Sequence, residues 1–192
     1  CEWYLAEGGR PIYMPEGFDR QSCRAADVEQ DVPVSFIGAA YGFRRSVIRD
    51  LIGHGIPVQA FGRGWENGEV SAEAQMGVIG RSKINLGMGG IGYSEELTNV
   101  KARDFEIPGA GGGVYLTSYN ADLAQHLTIG REILCYPHRD EMLELVRHYL
   151  ARPEEARVIA QRGRERCLAE HRWLHRYVKV CEVLGILEER RP

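Results

Sequence analysis

The stretch VSFIGAAYGFRRSVIRDLIGHGIPVQAFG, residues 34–62, determines the fold class. It starts with a short apolar run that ends in glycine and two alanines, and it continues into a helical pattern that stops at glycine. A second apolar run, PVQAFG at 57–62, then closes the stretch. Two apolar runs joined by a helix are typical of a β-α-β unit, in which the two strands are parallel. The stretch therefore predicts an α/β fold.

The same alternation continues along the chain. Helical patterns occupy 71–82 and 99–108, and short apolar runs that indicate strands occupy 83–88, 112–118 and 131–136. Strands that alternate with helices form a parallel sheet with helices on both faces. We therefore predict a Rossmann-like sheet of about five strands, followed by a helical C-terminal tail.

Composition excludes several classes of function. The 192 residues are 44% hydrophobic and 27% charged, and the net charge of −3 gives no sign of a nucleic-acid partner. No apolar run approaches the roughly 20 residues of a transmembrane segment. The five cysteines are scattered without paired spacing, which predicts reduced thiols and a cytoplasmic protein.

The periodic patterns also suggest where the domain begins. Residues 1–30 lack sustained periodicity, and we interpret them as a lead-in or interdomain segment. Residues 31–187 carry the strand and helix patterns and are predicted to form one domain. Because the sequence begins at Cys1 and not at a methionine, we expect a fragment of a longer protein.

Ligands of parallel sheets bind beyond the carboxyl ends of the strands, where the strand order switches. Three loops are expected on this rim, and the first follows Gly38. Arg44 and Arg45 begin the next helix, where unpaired N–H groups and the helix dipole favour phosphate. An ordinary solvated helix start explains the two arginines equally well. The second loop, FGRGW, places Gly62 and Arg63 in a tight turn that has an ordinary structural explanation too.

The third loop contains GMGGIG, residues 87–92, which satisfies the pattern G-x-G-x-x-G. In dinucleotide-binding proteins this pattern follows the first strand and directly opens a helix. Here it follows the third strand, and further residues separate it from the next helix. A Rossmann-type NAD or FAD oxidoreductase therefore stays an alternative, and backbone amides at Gly89 and Gly90 are candidates for binding an anion.

The stretch KARDFEIPGAGGG, residues 101–113, follows this loop. Asn99, Arg103 and Glu106 have the spacing i, i+4, i+7, which stacks them on one face of the predicted helix. Lys101 lies near the helix start, where it can reach the glycine loop. Pro108 and the glycines after it are expected to end the helix. A simple ion pair between Arg103 and Glu106 explains the two charges as well.

Metal chemistry has weak support. Cys167, His171 and His175 recur at i, i+4, i+8 on a late helix and could form a metal face, although a packed helix surface produces the same spacing. There is no D-x-D pair of the kind that holds a metal-bound nucleotide sugar. We therefore predict neither a metal nor a cofactor.

Several segments, taken in order, resemble one protein family. The chain is similar to the C-terminal domain of glycosyltransferases with the GT-B fold, related to spore-maturation glycosyltransferases (glycosyl transferases group 1). The segments that carry the resemblance are DVPVSFIGAAYGFRRSVIRDL, FGRGW, SKINLGM, NVKARDFEIPGAGGGVYLT and PEEARVIAQRGRERCLAEHRWLHR. The resemblance implies that the chain is one half of a GT-B fold and binds a nucleotide-diphosphate-sugar donor.

The resemblance also implies roles for individual residues. Glu106 matches the glutamate that holds the ribose hydroxyls, and Arg44 or Arg45 and Lys101 match regions that supply positive charge to the leaving diphosphate. Such enzymes need no metal. The residues we predict to contact the donor are Gly38, Gly62, Arg63, Gly89, Gly90, Asn99, Arg103 and Glu106.

The resemblance has two departures. Many retaining relatives carry a second glutamate, and the matching position here is Thr98. The donor sugar contact and the stereochemical outcome therefore stay open. The N-terminal acceptor domain is expected to be absent from this chain, so we predict that the fragment binds nucleotide but catalyses little. The acceptor, the base and the sugar stay unassigned, and a non-catalytic α/β module or a sugar-nucleotide epimerase stays a further alternative.

Overall fold

The computed structural model describes residues 2–25 and 27–187. Short apolar runs rich in valine, isoleucine and leucine form five strands, since such residues suit a sheet that is buried on both faces. The strands are β1 (Val32–Ile37), β2 (Val58–Phe61), β3 (Ser82–Leu86), β4 (Val114–Ser118) and β5 (Leu134–Tyr136). All neighbouring pairs are parallel, and the order is β2-β1-β3-β4-β5. The prediction of a five-stranded Rossmann-like sheet is confirmed.

Helices connect the strands and cover both faces of the sheet. They are α1 (Glu2–Ala6), α2 (Arg44–Gly53), α3 (Ala72–Arg81), α4 (Arg103–Ala110), α5 (Arg139–Ala151), α6 (Pro153–Glu170) and α7 (Trp173–Val183). A short 3-10 helix, Leu123–Gln125, lies between β4 and β5. Val47 and Leu51 of α2 share one core with Met142 and Val146 of α5. The second core includes Phe105 of α4 and lies on the other face.

Helix α4 differs from its prediction at both ends. It begins at Arg103, because the residues before it pair with the glycine loop: the amide of Asn99 donates to the carbonyl of Gly89 at 3.3 Å. Pro108 lies inside the helix and does not end it. The helix ends where Gly111 adopts a φ of +88°, a left-handed conformation that glycine reaches without steric cost.

The lead-in segment is joined to the C-terminal helices. Phe18 is 1% exposed, its amide donates to the carbonyl of His171 at 3.2 Å, and its carbonyl accepts from the amide of Trp173 at 3.1 Å. A side chain at Gly109 would collide with the Phe18 ring, which explains the glycine there. The segment before residue 31 is therefore attached to this domain through its middle. Within the described residues, no helix is long and apolar enough to span a membrane.

Candidate functional site

The strand order locates the candidate site. The chain runs from β1 outward to β2 and then crosses back to β3 on the other side of β1. The loops after β1 and β3 therefore diverge at their carboxyl ends and leave a crevice between them, the usual ligand site of such sheets. Residues 38–43 form one wall of this crevice, and residues 87–102 form the other.

Arg44 lies at the first of these walls and is only 9% exposed. Its Nη1 donates to the carbonyl of Ala39 at 3.1 Å, and its guanidinium lies 4.2 Å from the centre of the Tyr41 ring. Its Nε is buried and has no hydrogen-bond partner among the described residues. Burial lowers the pKa of Arg44, and the nearby charge of Arg103 lowers it further. A buried donor without a partner is costly in a folded protein, so it indicates a place for an acceptor.

Lys101 lies on the opposite wall and is held by three acceptors. Its Nζ donates to the carbonyls of Gly89 and Gly90, at 2.9 and 3.2 Å, and to Oδ1 of Asn99 at 2.7 Å. Burial lowers the pKa of Lys101, and the charge of Arg44 lowers it further. The structure therefore brings Lys101, Asn99 and both glycines together, although Asn99 contributes from outside the helix.

Arg103 and Glu106 follow in the first two turns of α4. Burial raises the pKa of Glu106, while the neighbouring Arg103 opposes that rise. Neither side chain has a hydrogen bond to another described residue. The two charges are thus close without being paired by a hydrogen bond, and both are available to a ligand. We call Arg44, Lys101 and Arg103 the cationic cluster.

Asp104, which the sequence did not single out, is hydrogen-bonded to the backbone of this cluster. Asp104 is 3% exposed, its Oδ2 accepts from the amide of Lys101 at 2.7 Å, and its Oδ1 accepts from the hydroxyl of Tyr115 at 2.7 Å. Burial raises the pKa of Asp104, and these hydrogen bonds oppose the rise. The carboxyl group fixes the backbone from which Lys101 projects. In the run RDFE no sequence pattern distinguishes Asp104 from the other charged residues, because its burial depends on the folded domain.

Arg45 has a different environment from Arg44. Its Nη2 donates to the carbonyl of Gly64 at 2.8 Å, its Nε donates to the carbonyl of Ala40 at 3.2 Å, and its guanidinium lies 5.6 Å from the Trp65 ring. These contacts tie the loop after β1 to the loop after β2. The structure therefore joins Arg45 to the second loop and brings Arg44, not Arg45, toward Lys101.

Gly38 and Gly62 meet where these two loops touch. Gly62 has a φ of +123°, and a Cβ there would lie 2.6 Å from the carbonyl oxygen of Gly38. The indole of Trp65 donates to the same carbonyl at 2.7 Å. Arg63 is exposed, and its carbonyl accepts from the amide of Ala40 at 2.9 Å. The glycines thus allow the close approach of two loops, which positions the crevice wall.

The GMGGIG loop forms a hairpin and does not open a helix. We call residues 89–99 the glycine hairpin: Gly90 pairs with Thr98, and the amide of Ile91 donates to the carbonyl of Leu97 at 2.9 Å. The amide of Gly89 is already used, donating to Oγ of Ser118 at 3.2 Å. The dinucleotide fingerprint requires the glycines to open a helix, so this geometry does not fit an NAD or FAD site.

Thr98 connects the base of the hairpin to the loop after β4. Its Oγ1 accepts from Nδ2 of Asn120 at 2.9 Å. Asn120 in turn accepts from the amides of Asp122 and Leu123 at 2.8 and 3.1 Å, just before the short 3-10 helix. A hydroxyl at position 98 therefore has a structural use of its own.

The late helices do not form the metal face that the spacing allowed. Cys167 is buried in the apolar core, and His171 binds the carbonyl of His126 at 3.0 Å and Nη2 of Arg176 at 2.9 Å. Nδ1 of His175 accepts from the amide of Arg172, at the start of α7. Within the described residues, no group of three or more His, Cys, Asp or Glu side chains could hold a metal ion. The histidines serve packing and capping, which explains their spacing.

Sequence comparison identifies the family. The profile of the glycosyl transferase-like family matches residues 43–182, which is most of the chain and includes the whole cationic cluster. The chain belongs to this glycosyl transferase-like family. Among curated proteins, none matches the chain in sequence.

Several solved structures share the fold of this chain. The chain overlays on sucrose-phosphate synthase from Thermosynechococcus elongatus with a TM-score of 0.72 and 14% identity, over 96% of this chain and 55% of that one. It overlays on Anabaena HepE, solved in complex with UDP-glucose, with a TM-score of 0.71 and 10% identity, over 96% of this chain and 60% of HepE.

At these identities the likeness concerns the fold. The chain spans between 55% and 60% of the length of these two solved chains, so it corresponds to about half of each. The predicted fold class, a Rossmann-like sheet that forms one half of a GT-B fold, is confirmed. Its sheet and crevice agree with the expected architecture.

Proposed function

We propose that this chain is the donor-binding half of a glycosyltransferase, and that the cationic cluster binds the diphosphate of a nucleotide-sugar donor. The observation that carries the proposal is the buried Nε of Arg44, which lacks an acceptor among the described residues, near the partly buried ammonium of Lys101. HepE, which has the same fold, was solved with UDP-glucose and with UDP. A diphosphate supplies both the missing acceptor and the compensating negative charge.

The chemistry of glycosyl transfer gives this cluster its role. The bond between the sugar carbon and the diphosphate oxygen breaks, a bond to an acceptor oxygen forms, and the acceptor loses a proton. Negative charge then accumulates on the departing diphosphate. Cationic groups fixed in a site of low polarity stabilise that charge without reorganising. In this proposal Arg44, Lys101 and Arg103 perform the task, and no metal or cofactor is required.

Glu106 is assigned to the ribose. Its carboxyl group lies one turn beyond Arg103, is partly buried and has no hydrogen-bond donor from another described side chain. A carboxylate with vacant acceptor positions binds a pair of neighbouring hydroxyls well. Gly38, Gly62, Arg63 and the hairpin glycines then line the crevice around the donor.

The rest of the reaction requires groups that this proposal places elsewhere. We infer that the acceptor binds to a second domain of the same protein, across the crevice, and that this half alone catalyses little. We also propose a cytoplasmic location, in which the cysteines stay reduced. The four described cysteines form no disulfide.

Titration calorimetry with UDP, GDP and TDP tests the assignment. The wild-type chain should bind at least one of them, and Glu106→Ala should weaken that binding by roughly tenfold to a hundredfold, because it removes charge-assisted hydrogen bonds to the ribose. Glu144→Ala is the matched control, since Glu144 is an exposed carboxylate more than one turn into α5 and belongs to neither wall of the crevice. If all three nucleotides fail to bind, or if the two variants bind equally, the assignment is incorrect.

A further inference from the structure

Arg139, the first residue of α5, makes an unusual set of contacts at the rim of the crevice. Its Nε donates to Oε2 of Glu95 at 2.9 Å, and its Nη2 donates to the other oxygen of that carboxylate. Its Nη1 donates to Oδ2 of Asp50 at 2.8 Å, and Nη2 also donates to Oγ of Ser46 at 2.8 Å. One guanidinium thus joins three segments that are distant in sequence.

Glu95 lies in the tip of the glycine hairpin, residues 91–97. The hydrogen bonds within the tip are local: the amide of Ser94 donates to the carbonyl of Ile91, and the amide of Leu97 donates to Oγ of Ser94. Among the described residues, Glu95 is the only tip side chain that makes a hydrogen bond to the rest of the protein. Tyr93 and Leu97 project outward, at 86% and 67% exposure. The tip therefore has little core of its own. Apart from the Arg139 pair, it contacts the loop after β1, where Gly42 lies against the backbone of Gly92 and Tyr93.

The base of the same hairpin belongs to the candidate site. Gly89 and Gly90 provide the two carbonyls that hold the ammonium of Lys101. Ser46 and Asp50, at the other end of the Arg139 network, lie on α2, the helix that begins with Arg44. The network therefore connects the element that carries Arg44 with the loop that holds Lys101.

We propose that Arg139 and Glu95 are positioning residues of the donor site, and that their ion pair holds the glycine hairpin in the geometry that Lys101 requires. Neither residue needs to touch the donor. A carboxylate bound bidentately by a guanidinium has a fixed direction as well as a fixed distance, which suits this task. The inference rests on the proposed function, because it assigns the pair a role in donor binding.

The effect on donor affinity should be moderate. The pair is partly exposed, with side-chain exposures of 32% for Arg139 and 41% for Glu95, and water weakens such pairs. Loss of the pair leaves the hairpin attached at its base, so the site is loosened and not destroyed. We expect the affinity for a nucleoside diphosphate to fall roughly fivefold.

Removing either of the two carboxylate partners of Arg139 distinguishes a positioning role from a general effect on stability. Glu95→Ala removes the hairpin contact, and Asp50→Ala removes a carboxylate of comparable exposure from the same Arg139 while leaving the hairpin contact in place. Hydrogen exchange of the amides in residues 91–97 and UDP affinity by calorimetry are measured for both. Glu95→Ala and Arg139→Ala should each speed exchange and weaken binding, and the double variant should resemble either single one. Asp50→Ala should resemble wild type in both measurements, and Arg139→Lys should restore part of the affinity lost in Arg139→Ala.

Three results would overturn the inference. Unchanged exchange in Glu95→Ala would show that the pair does not hold the hairpin. Faster exchange with unchanged UDP affinity would show that the hairpin position does not matter for binding. Equal effects of Glu95→Ala and Asp50→Ala would indicate a general stability effect. If the wild-type chain binds none of UDP, GDP and TDP, the proposed function fails and the donor role of the pair fails with it, while hydrogen exchange still decides whether the pair holds the hairpin.

Discussion

Two groups of basic side chains, each with one buried member, contact helix α4 or belong to it, and they differ in how their polar atoms are hydrogen-bonded. The cationic cluster lies at the crevice. The second group, which we call the His–Arg cluster, consists of His126, His171 and Arg176 and joins the lead-in segment to α6 and α7. Arg176 donates to the carbonyls of Glu16 and Glu170, both at 3.1 Å, and to Nδ1 of His171 at 2.9 Å.

In the His–Arg cluster the polar side-chain atoms of His171 and Arg176 find partners within the protein. His171 uses both ring nitrogens, since Nδ1 accepts from Arg176 and Nε2 donates to the carbonyl of His126. In the cationic cluster, by contrast, the Nε of Arg44 has no partner among the described residues. The difference teaches that burial of charge does not by itself mark a site. The additional observation at the crevice is a buried donor that lacks an acceptor. Among the described residues one other buried side-chain atom shares this property, Nε of Arg172 at the start of α7, so the crevice is distinguished by the donor together with its cationic neighbours Lys101 and Arg103.

The largest predicted effect concerns the His–Arg cluster at acid pH. Burial, assisted by the charge of Arg176, lowers the pKa of His171 from 6.5 to about 4. The unfolded chain therefore binds a proton in this window that the folded chain does not, so stability should fall as pH decreases from 6.5 to about 4. The shift corresponds to roughly 3 kcal/mol. Denaturant unfolding over this pH range measures it.

The control for this prediction compares how steeply the free energy of unfolding changes with pH in the wild type and in two histidine variants. Burial raises the pKa of Glu106 and of Asp104, and these groups act in the opposite sense, so the total slope mixes several contributions. His171→Gln should reduce the dependence of stability on pH in this window, whereas His54→Gln, at an exposed position, should retain it. Identical slopes for wild type and His171→Gln would remove the physical basis for calling this cluster a structural one.

The next prediction concerns the same substitution, arginine to methionine, made once in each cluster. Arg44→Met should weaken binding of a nucleoside diphosphate roughly tenfold to a hundredfold, because a charged hydrogen-bond donor to phosphate is lost. It should not destabilise the protein, since replacing a buried, incompletely paired charge by an apolar side chain is often neutral or favourable. Arg176→Met should do the reverse, costing about 2 kcal/mol because it leaves three acceptors without a donor, and it should keep the affinity.

Calorimetry and thermal unfolding of both variants provide the test. A loss of stability in Arg44→Met as large as that in Arg176→Met would mean that Arg44 is structural. A loss of affinity in Arg176→Met would mean that the two clusters are coupled, and the distinction between them would then not hold.

Much of the fold could be predicted because the pattern of apolar runs is local. The β-α-β pattern of residues 34–62 correctly indicated a parallel sheet, and all five strands lie within or next to the predicted runs. The start of α4 could not be predicted, because it depends on a hydrogen bond between Asn99 and Gly89, which only the folded hairpin brings together. Pro108 misled for a similar reason, since helix termination was decided by the φ angle of Gly111.

The sequence could predict which residues belong to the site, but not which of them contact one another. Lys101 was expected near the glycine loop, and the structure places its ammonium on two of the loop's carbonyls. No pattern could separate Arg44 from Arg45, since adjacent residues at a helix start project in different directions and only the surrounding loops decide which one is buried. The role of Arg139 could not be predicted for the same reason, since its partners Glu95 and Asp50 are 44 and 89 residues away along the chain.

The smallest predicted effect is a pH dependence of nucleoside diphosphate binding that arises from Lys101 in the cationic cluster. The pKa of Lys101 is lowered by burial and by Arg44, so the ammonium loses its proton at a lower pH than an exposed lysine does. Because a diphosphate binds the protonated form, its affinity should decline several-fold as pH rises from about 7 to about 10. Lys101→Met should bind more weakly at neutral pH and lose most of this dependence. Lys179→Met, on α7 near the His–Arg cluster, serves as the control and should show the wild-type decline. A wild-type affinity that stays constant over this range, with an intact fold, would show that the charge of Lys101 takes no part in binding.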